Sequence, residues 1–235
     1  MSLNMLDIIL LICFAFGFLI GFKRGIIKQG VFTIGIFLVV FLSFVFKNSL
    51  SIILYKHLPF YTVGILRNYS VLNILLYELI SFFILLSVLS LIFIIILKIS
   101  GIVEKLVRAT IILALPSKLL GGILGIIEIY IFSFIILLVI NMPIFNISNE
   151  ELVMNSKLKD KILNNTVLMS NVSKNLVKSI DSVNALIDSD EKLGSKEFNC
   201  KALNIFVKNK IISKDSINYL KNNNKIDKKC ETNNN

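Results

Sequence analysis

Residues 17–30 read GFLIGFKRGIIKQG, and this stretch joins two apolar segments through a short basic turn. Lys23, Arg24 and Lys28 crowd into the turn, in a chain that is 55% hydrophobic. Short loops on the cytoplasmic side of a membrane are enriched in Lys and Arg. The stretch therefore predicts a tight hairpin between two membrane helices, with its tip at the cytoplasmic face.

Four segments are long and apolar enough to cross a membrane. A helix needs about 20 apolar residues to cross roughly 30 Å of hydrocarbon. Such segments must be helical, because lipid offers no partner to an unpaired backbone group. A mean hydropathy of +0.80 agrees with a membrane protein. We predict spans at about residues 5–22, 26–46, 72–97 and 119–141.

Basic residues divide unequally between the two sides of the predicted bundle. Seven lie in the 23–28 turn and the 98–118 connection, whereas three lie in the 47–71 loop and none precedes the first span. Because short cytoplasmic loops are rich in Lys and Arg, we expect both termini outside and both basic connections inside. The expected cytoplasmic anchors are Lys23, Arg24, Lys28, Lys105 and Arg108.

A short amphipathic segment precedes the fourth span at residues 101–115, GIVEKLVRATIILAL. Glu104, Lys105 and Arg108 fall on one arc of a helical wheel, and Pro116 is expected to break the helix before the span. The pattern is typical of an interfacial helix whose basic residues face anionic lipid headgroups. A re-entrant segment is the alternative that the length leaves open.

Glycines recur at helical spacing in two of the predicted spans. Gly17, Gly21 and Gly25 are four residues apart, and Gly121 and Gly125 repeat the spacing. Small residues let helix backbones approach closely in lipid, where van der Waals packing replaces the hydrophobic drive. We predict a helix-packing seam along these glycines, and a flexible pore wall is the alternative.

Three acids lie within the predicted spans, namely Asp7, Glu78 and Glu128. The first two lie within two turns of the outer ends, where we expect water or headgroups to reach them. Glu128 lies about 14 Å deep, where an ionised acid costs about 2.5–3.5 kcal/mol, and no basic residue lies at the same depth. Two interpretations stay open for Glu128: a proton or ion relay, and a hydrogen bond to a neighbouring helix.

The last third of the chain is polar and its apolar residues follow a helical period. Ser148–Glu151 has the spacing of a capping box, and Cys200 and Cys230 lie farther along without a pattern that says whether they pair. We predict an all-α integral membrane protein with four transmembrane helices, an interfacial helix before the fourth, and a helical extracytoplasmic tail. The membrane domain, the helical tail and a disordered end are assigned to residues 1–145, 146–226 and 227–235.

The composition argues against several classes of function. With one His and three Cys, the chain has no metal-ligand cluster and no nucleophile–base pair, so we expect no metal, no cofactor and no enzymatic activity. The formal charge of +10 does not indicate nucleic-acid binding. The basic residues flank the spans or are diluted by acids in the tail, without the aromatic residues of a base-stacking surface.

Three stretches in this order resemble the colicin V production protein (CvpA) family of bacterial membrane proteins. They are the acid and glycine run of Leu6–Gly25, the run Leu119–Gly125 that opens the last span, and the serine-started segment Ser156–Ser170. The resemblance implies a multi-pass protein of the bacterial inner membrane. It also implies a role in the production or export of bacteriocins or toxins and in envelope homeostasis.

The chain departs from the family pattern at two places. Pro116-Ser117-Lys118 stands where members often carry Asp or Asn and Arg, and Glu128 stands where a basic residue usually follows the last glycine. Some relatives carry an extracytoplasmic serine protease after the spans, which agrees with an outward tail. The tail of this chain has no Gly-x-Ser-x-Gly motif, so the protease is not expected here.

Two functions compete on the sequence alone. The first is a membrane scaffold or accessory protein whose tail recruits an extracytoplasmic protein. The second is a small transporter or channel, acting as a homo-oligomer, with Glu128 as its intramembrane proton or ion site. The bilayer, through its anionic headgroups, is an expected partner under both.

Overall fold

The computed structural model describes residues 4–100, 114–145, 151–164, 171–188, 195–227 and 230. Every regular element in these ranges is an α-helix, which confirms the predicted all-α class for them. The helices are α1 (Met5–His57), α2 (Ile65–Asn68), α3 (Ser70–Ile99), α4 (Ala114–Ile140), α5 (Glu151–Met154), α6 (Lys157–Asn164), α7 (Asn171–Asp188), α8 (Ser195–Lys208) and α9 (Lys214–Asn222). The predicted interfacial helix except its last two residues, Ser148 of the capping box and most of the predicted disordered end lie outside the described residues.

Within the part of the chain that the structure describes, three helices are long and apolar enough to cross a membrane, namely α1, α3 and the Pro116–Ile140 part of α4. We had predicted a loop at residues 47–71, but helix α1 continues to His57, so residues 47–57 are helical. The prediction that Pro116 breaks the helix before the fourth span is also wrong, because α4 already includes residues 114 and 115. A proline in the first turn of a helix loses no intrahelical hydrogen bond.

Helix α1 is interrupted at Gly25, whose backbone lies at φ 72° and ψ 168°. A β-carbon makes a positive φ unfavourable, whereas glycine has no β-carbon and adopts a positive φ at little cost. The basic turn of the sequence therefore contains the one residue type that suits a sharp change of chain direction.

Contacts with α4 show that the chain reverses at Gly25. Four contacts, two before the break and two after it, are Gly17–Gly125, Gly21–Gly121, Ile26–Ser117 and Gln29–Glu128. As the residue number in α1 rises, the contacted residue of α4 changes from 125 to 121 before the break and from 117 to 128 after it. The two parts of α1 thus run in opposite directions beside α4 and form a helical hairpin that turns at Gly25.

The helix backbones approach each other closely at the hairpin and α4. An ideal Cβ added to Gly21 would lie less than 3.0 Å from the carbonyl oxygen of Gly121, and one added to Gly17 would lie 2.7 Å from that of Gly125. At Gly21 the three nearest atoms all belong to the backbone, so no side chain could move aside, whereas at Gly17 the side chain of Ile129 is also in the way. These four glycines, together with Gly25, line the contact that the sequence predicted as a packing seam.

The described residues form two compact units. The first comprises Met1–Phe44, Ile84–Leu137 and Glu150–Leu163, and the second comprises Val45–Phe83, Leu138–Asn149 and Asn164–Asn235. In the first unit many large apolar side chains of the long helices are exposed, for example Ile9 (47%), Leu38 (51%), Ile95 (52%) and Ile123 (51%). Such exposed apolar side chains suit contact with lipid acyl chains.

The second unit combines the ends of long helices with tail helices α7–α9. Its core contains Tyr55 and Tyr77 from the long helices and Phe198, Phe206 and Leu220 from the tail, all fully buried. Asn141, just after α4, donates from Nδ2 to Asp181 Oδ1 of α7 at 2.9 Å. Tail and membrane helices therefore share one core in this unit.

We expect Gly21→Ala to lower stability and Gly30→Ala to leave it nearly unchanged. The new methyl group at position 21 would meet the Gly121 backbone, an overpacking that typically costs about 1–3 kcal/mol. A Cβ at Gly30 would lie 3.8 Å from the Leu124 side chain, an ordinary contact, and alanine favours the helix by roughly 0.5–1 kcal/mol. Thermal unfolding of the two purified variants in one detergent checks this, and equal melting temperatures would contradict it.

Candidate functional site

Glu128, the deepest of the three predicted acids, has a polar partner on α1. Its carboxylate accepts a hydrogen bond from Nε2 of Gln29, a side chain with no exposed surface. The Gln29 Oε1 atom accepts in turn from Nη1 of Arg24 at 3.3 Å. The amide uses its donor for the acid and its acceptor for the guanidinium, so a single neutral side chain connects the two groups.

The surroundings of this chain of hydrogen bonds are partly polar. The Arg24 guanidinium lies 4.7 Å from the centroid of the Phe32 ring, within the range of a cation–π contact. Thr33, one turn after Gln29, is buried, and its Oγ1 has no hydrogen-bond partner among the described residues. Gln29 and Thr33 are four residues apart, so they lie on the same face of α1.

Gln29 was not predicted as the partner of Glu128. Of the two interpretations that stayed open for this acid, the structure contains the hydrogen bond to a neighbouring helix. The signal that could have identified Gln29 is its spacing from Thr33. These two residues form a polar face at the start of the mostly apolar second part of α1, and such a face is normally directed into a bundle.

Asp7 is buried, with 2% of its surface exposed, although we expected water or headgroups to reach it. Its Oδ1 accepts from Oγ of Ser156 and from the backbone N of Leu158 at 3.0 Å. Ser156 Oγ also accepts from the backbone N of Lys159 at 3.1 Å, as an N-cap does. The acid therefore binds the N-terminus of α6, where the helix dipole favours a negative charge.

Glu78 is buried as well, and it forms an ion pair with Lys47. Only 3% of the glutamate side chain and 5% of the lysine side chain are exposed. The second carboxylate oxygen, Oε1, accepts from Oγ of Ser51 at 2.7 Å and from the hydroxyl of Tyr55 at 2.8 Å. Lys47 Nζ also donates to the carbonyl oxygen of Ile211 at 2.7 Å. The expectation that water or headgroups reach Glu78 was therefore wrong for this structure.

We had predicted Lys47 in an outer loop, so its ion pair with Glu78 was not expected. Lys47, Ser51 and Tyr55 are spaced at i, i+4 and i+8, which places them on one face of a helix. All three bind Glu78 of α3, so this one acid holds the last turns of α1 to α3.

The predicted cytoplasmic anchors are only partly described. Lys23 is exposed, and Arg24 and Lys28 are partly exposed, whereas Lys105 and Arg108 lie outside the described residues. Within the described ranges, no group of three or more His, Cys, Asp and Glu side chains is arranged to hold a metal ion.

We expect Lys47→Met to be strongly destabilising. The substitution leaves Glu78 buried without its counter-ion, and breaking a buried ion pair in this way costs about 3–5 kcal/mol. Adding Glu78→Met should recover part of the loss, because both charges are then absent. Lys56→Met is the matched control, since Lys56 is exposed on the same helix. Denaturant unfolding in detergent measures the wild type, both single variants of the pair, the double variant and the control, and strictly additive effects of Lys47→Met and Glu78→Met would contradict the pairing.

Comparison with known proteins shows which family the chain matches. The family described as Colicin V production protein matches residues 6–167, which include α1, α3, α4 and α6. The chain is also 29% identical, over 177 residues, to the uncharacterized transmembrane protein YshB of Bacillus subtilis (strain 168). That alignment covers 73% of this chain and 97% of the relative. No solved structure matches the chain.

The matched region contains the first two stretches on which the resemblance was based and all but the last three residues of the third, and it spans more than half of the chain. The resemblance is therefore confirmed, and the chain is a membrane protein of the colicin V production protein family.

Proposed function

We propose that the protein is a multi-pass membrane scaffold or accessory protein for bacteriocin or toxin production and export and for envelope homeostasis. Membership of the colicin V production family supports the biological role. The observation that supports a scaffold is the use of Asp7, Glu78 and Glu128, each of which is engaged by a polar group of the same chain. Groups used in this way hold helices together.

We further propose four membrane crossings with the N-terminus and the tail outside the cytoplasm. The chain reversal at Gly25 supports two crossings within α1, and the basic residues around it support a cytoplasmic tip. The Cys200–Cys230 disulfide adds an independent argument for an outward tail. Disulfides persist in oxidising compartments and are rare in the cytoplasm.

Partners follow from this orientation. Lys23, Arg24 and Lys28 at the hairpin tip suit the anionic headgroups of the cytoplasmic leaflet. The tail is available to an extracytoplasmic protein, which is the recruiting role of a scaffold. A homo-oligomer belongs to the competing function, a small transporter that uses Glu128 as a proton or ion site.

The orientation is tested with a reporter enzyme that is active only outside the cytoplasm. A fusion after Asn235 should be active, and a fusion after Ser100 should be inactive, because three crossings precede it. The opposite result would refute the proposed orientation without affecting the scaffold role.

Glu128→Gln distinguishes the scaffold from the transporter. A glutamine keeps an acceptor for Gln29 Nε2, so we expect stability to change by about 1 kcal/mol or less and activity to survive. If Glu128 exchanges protons or binds a cation, activity should disappear while the fold is intact, because glutamine cannot ionise. Thermal stability and complementation of a deletion strain are measured on the same variant.

Gln29→Leu provides the matched comparison on the partner side. This variant removes the amide that connects Arg24 to Glu128, so it should destabilise the protein more than Glu128→Gln does. A fully stable Glu128→Gln protein without activity would overturn the scaffold proposal. A Gln29→Leu protein as stable as the wild type would show that the hydrogen bond contributes little to the fold.

A further inference from the structure

The tail caps the start of the long helix α3. Asn199 of α8 accepts, through Oδ1, a hydrogen bond from the backbone N of Val71 at 3.1 Å. The neighbouring Phe198 is fully buried, and its ring centroid lies 4.1 Å from that of Tyr69, the residue before α3. A donor at a helix N-terminus has no intrahelical partner, so Asn199 satisfies a group that the helix itself leaves open.

A second tail segment caps the end of α1. Lys225, which follows α9, donates from Nζ to the carbonyl oxygens of Tyr55 and Leu58, the latter at 3.1 Å. The same Nζ lies 5.1 Å from the centroid of the Phe60 ring. A lysine in this position binds carbonyl groups that lack intrahelical partners and complements the negative end of the helix dipole.

The Cys200–Cys230 disulfide joins these two capping segments. Cys200 directly follows Asn199, and Cys230 lies five residues after Lys225. Cys230 is 3% exposed, and its carbonyl oxygen accepts from Nζ of Lys221 at 2.9 Å. Asn199, Lys225 and Cys230 also line one cleft of about 510 Å³, so the disulfide lies at the place where both caps meet.

We propose that the Cys200–Cys230 disulfide is a thiol-sensitive clasp that keeps the two caps seated on α1 and α3. The cysteines are 30 residues apart in sequence, and the intact bond closes the segment between them into a loop. Each cap then keeps the other near its helix end. Breaking the bond returns conformational freedom to that segment and lowers the effective concentration of both caps. Whether this disulfide is intact or reduced thereby determines how well ordered the two helix ends are.

The chemistry is thiol–disulfide exchange with a dithiol. A thiolate of the dithiol attacks Sγ of Cys200, the more exposed partner, and the Cys230 sulfur leaves and takes up a proton. The second thiol of the reagent then attacks the mixed disulfide and releases Cys200 as a thiol. Two electrons and two protons pass from the dithiol to the protein, and the reagent becomes a disulfide. In the reverse exchange the two tail thiols would reduce a disulfide of another protein, which accepts their two electrons and two protons, and the clasp would form.

Hydrogen exchange of the full-length protein in detergent tests the clasp. A Cys13→Ser background leaves only the two tail cysteines, and peptides that cover residues 55–60 and 69–74 report on the two capped helix ends. After reduction by dithiothreitol we expect exchange there to become about tenfold faster, in the range of a lost helix cap. Peptides that cover Gly17–Gly25, in the first unit, should not change.

Two variants make the result decisive. Cys200→Ser with Cys230→Ser should show the fast exchange without reductant, and Asn199→Ala should show it at residues 69–74 while the disulfide is intact. Unchanged exchange at both helix ends after complete reduction would overturn the proposal, as would two free tail thiols in protein isolated under oxidising conditions. The experiment uses purified protein, so its outcome is independent of the proposed cellular role and membrane orientation.

Discussion

A charged or hydrogen-bonding group inside hydrocarbon has no water to bind, so its partner must come from the protein. The three acids of the long helices meet this constraint in three ways: Glu78 has a lysine, Asp7 has a helix N-terminus, and Glu128 has an amide. Apolar helix faces gain little from one another in lipid, because acyl chains are equally apolar. The polar contacts therefore select which helix faces meet, and the apolar residues fill the space around them.

Close backbone packing makes one of these contacts geometrically accessible. Gly21 and Gly121 bring the hairpin and α4 so near that an added β-carbon would clash with the backbone. At this separation Gln29, four residues after Gly25, reaches Glu128 with a side chain of ordinary length. Larger residues in the seam would move α4 away from the amide. The glycines and the buried acid are thus parts of one arrangement.

The sequence predicted the features that arise from local patterns. Apolar run length indicates the long helices, the four-residue glycine period indicates where they approach, and the basic turn marks the hairpin at Gly25. Partner choice is not local, since Gln29 and Glu128 are 99 residues apart and Asp7 and Ser156 are 149 apart. Lys47 was misassigned because a lysine after an apolar run normally marks a membrane boundary. Only the position of Glu78 in three dimensions shows that Lys47 is buried.

The tail contributes to the polar contacts of both Asp7 and Lys47. Only the first of these contacts lies wholly within the residues that match the family. Ser156, which binds Asp7, lies within the matched residues 6–167. Ile211, whose carbonyl oxygen binds Lys47, lies beyond them, as do both cysteines of the disulfide. A buried ammonium needs acceptors for its donors, and Ile211 supplies one that the long helices do not. A lysine at position 47 and a tail that continues past the family region are therefore physically linked features of this chain.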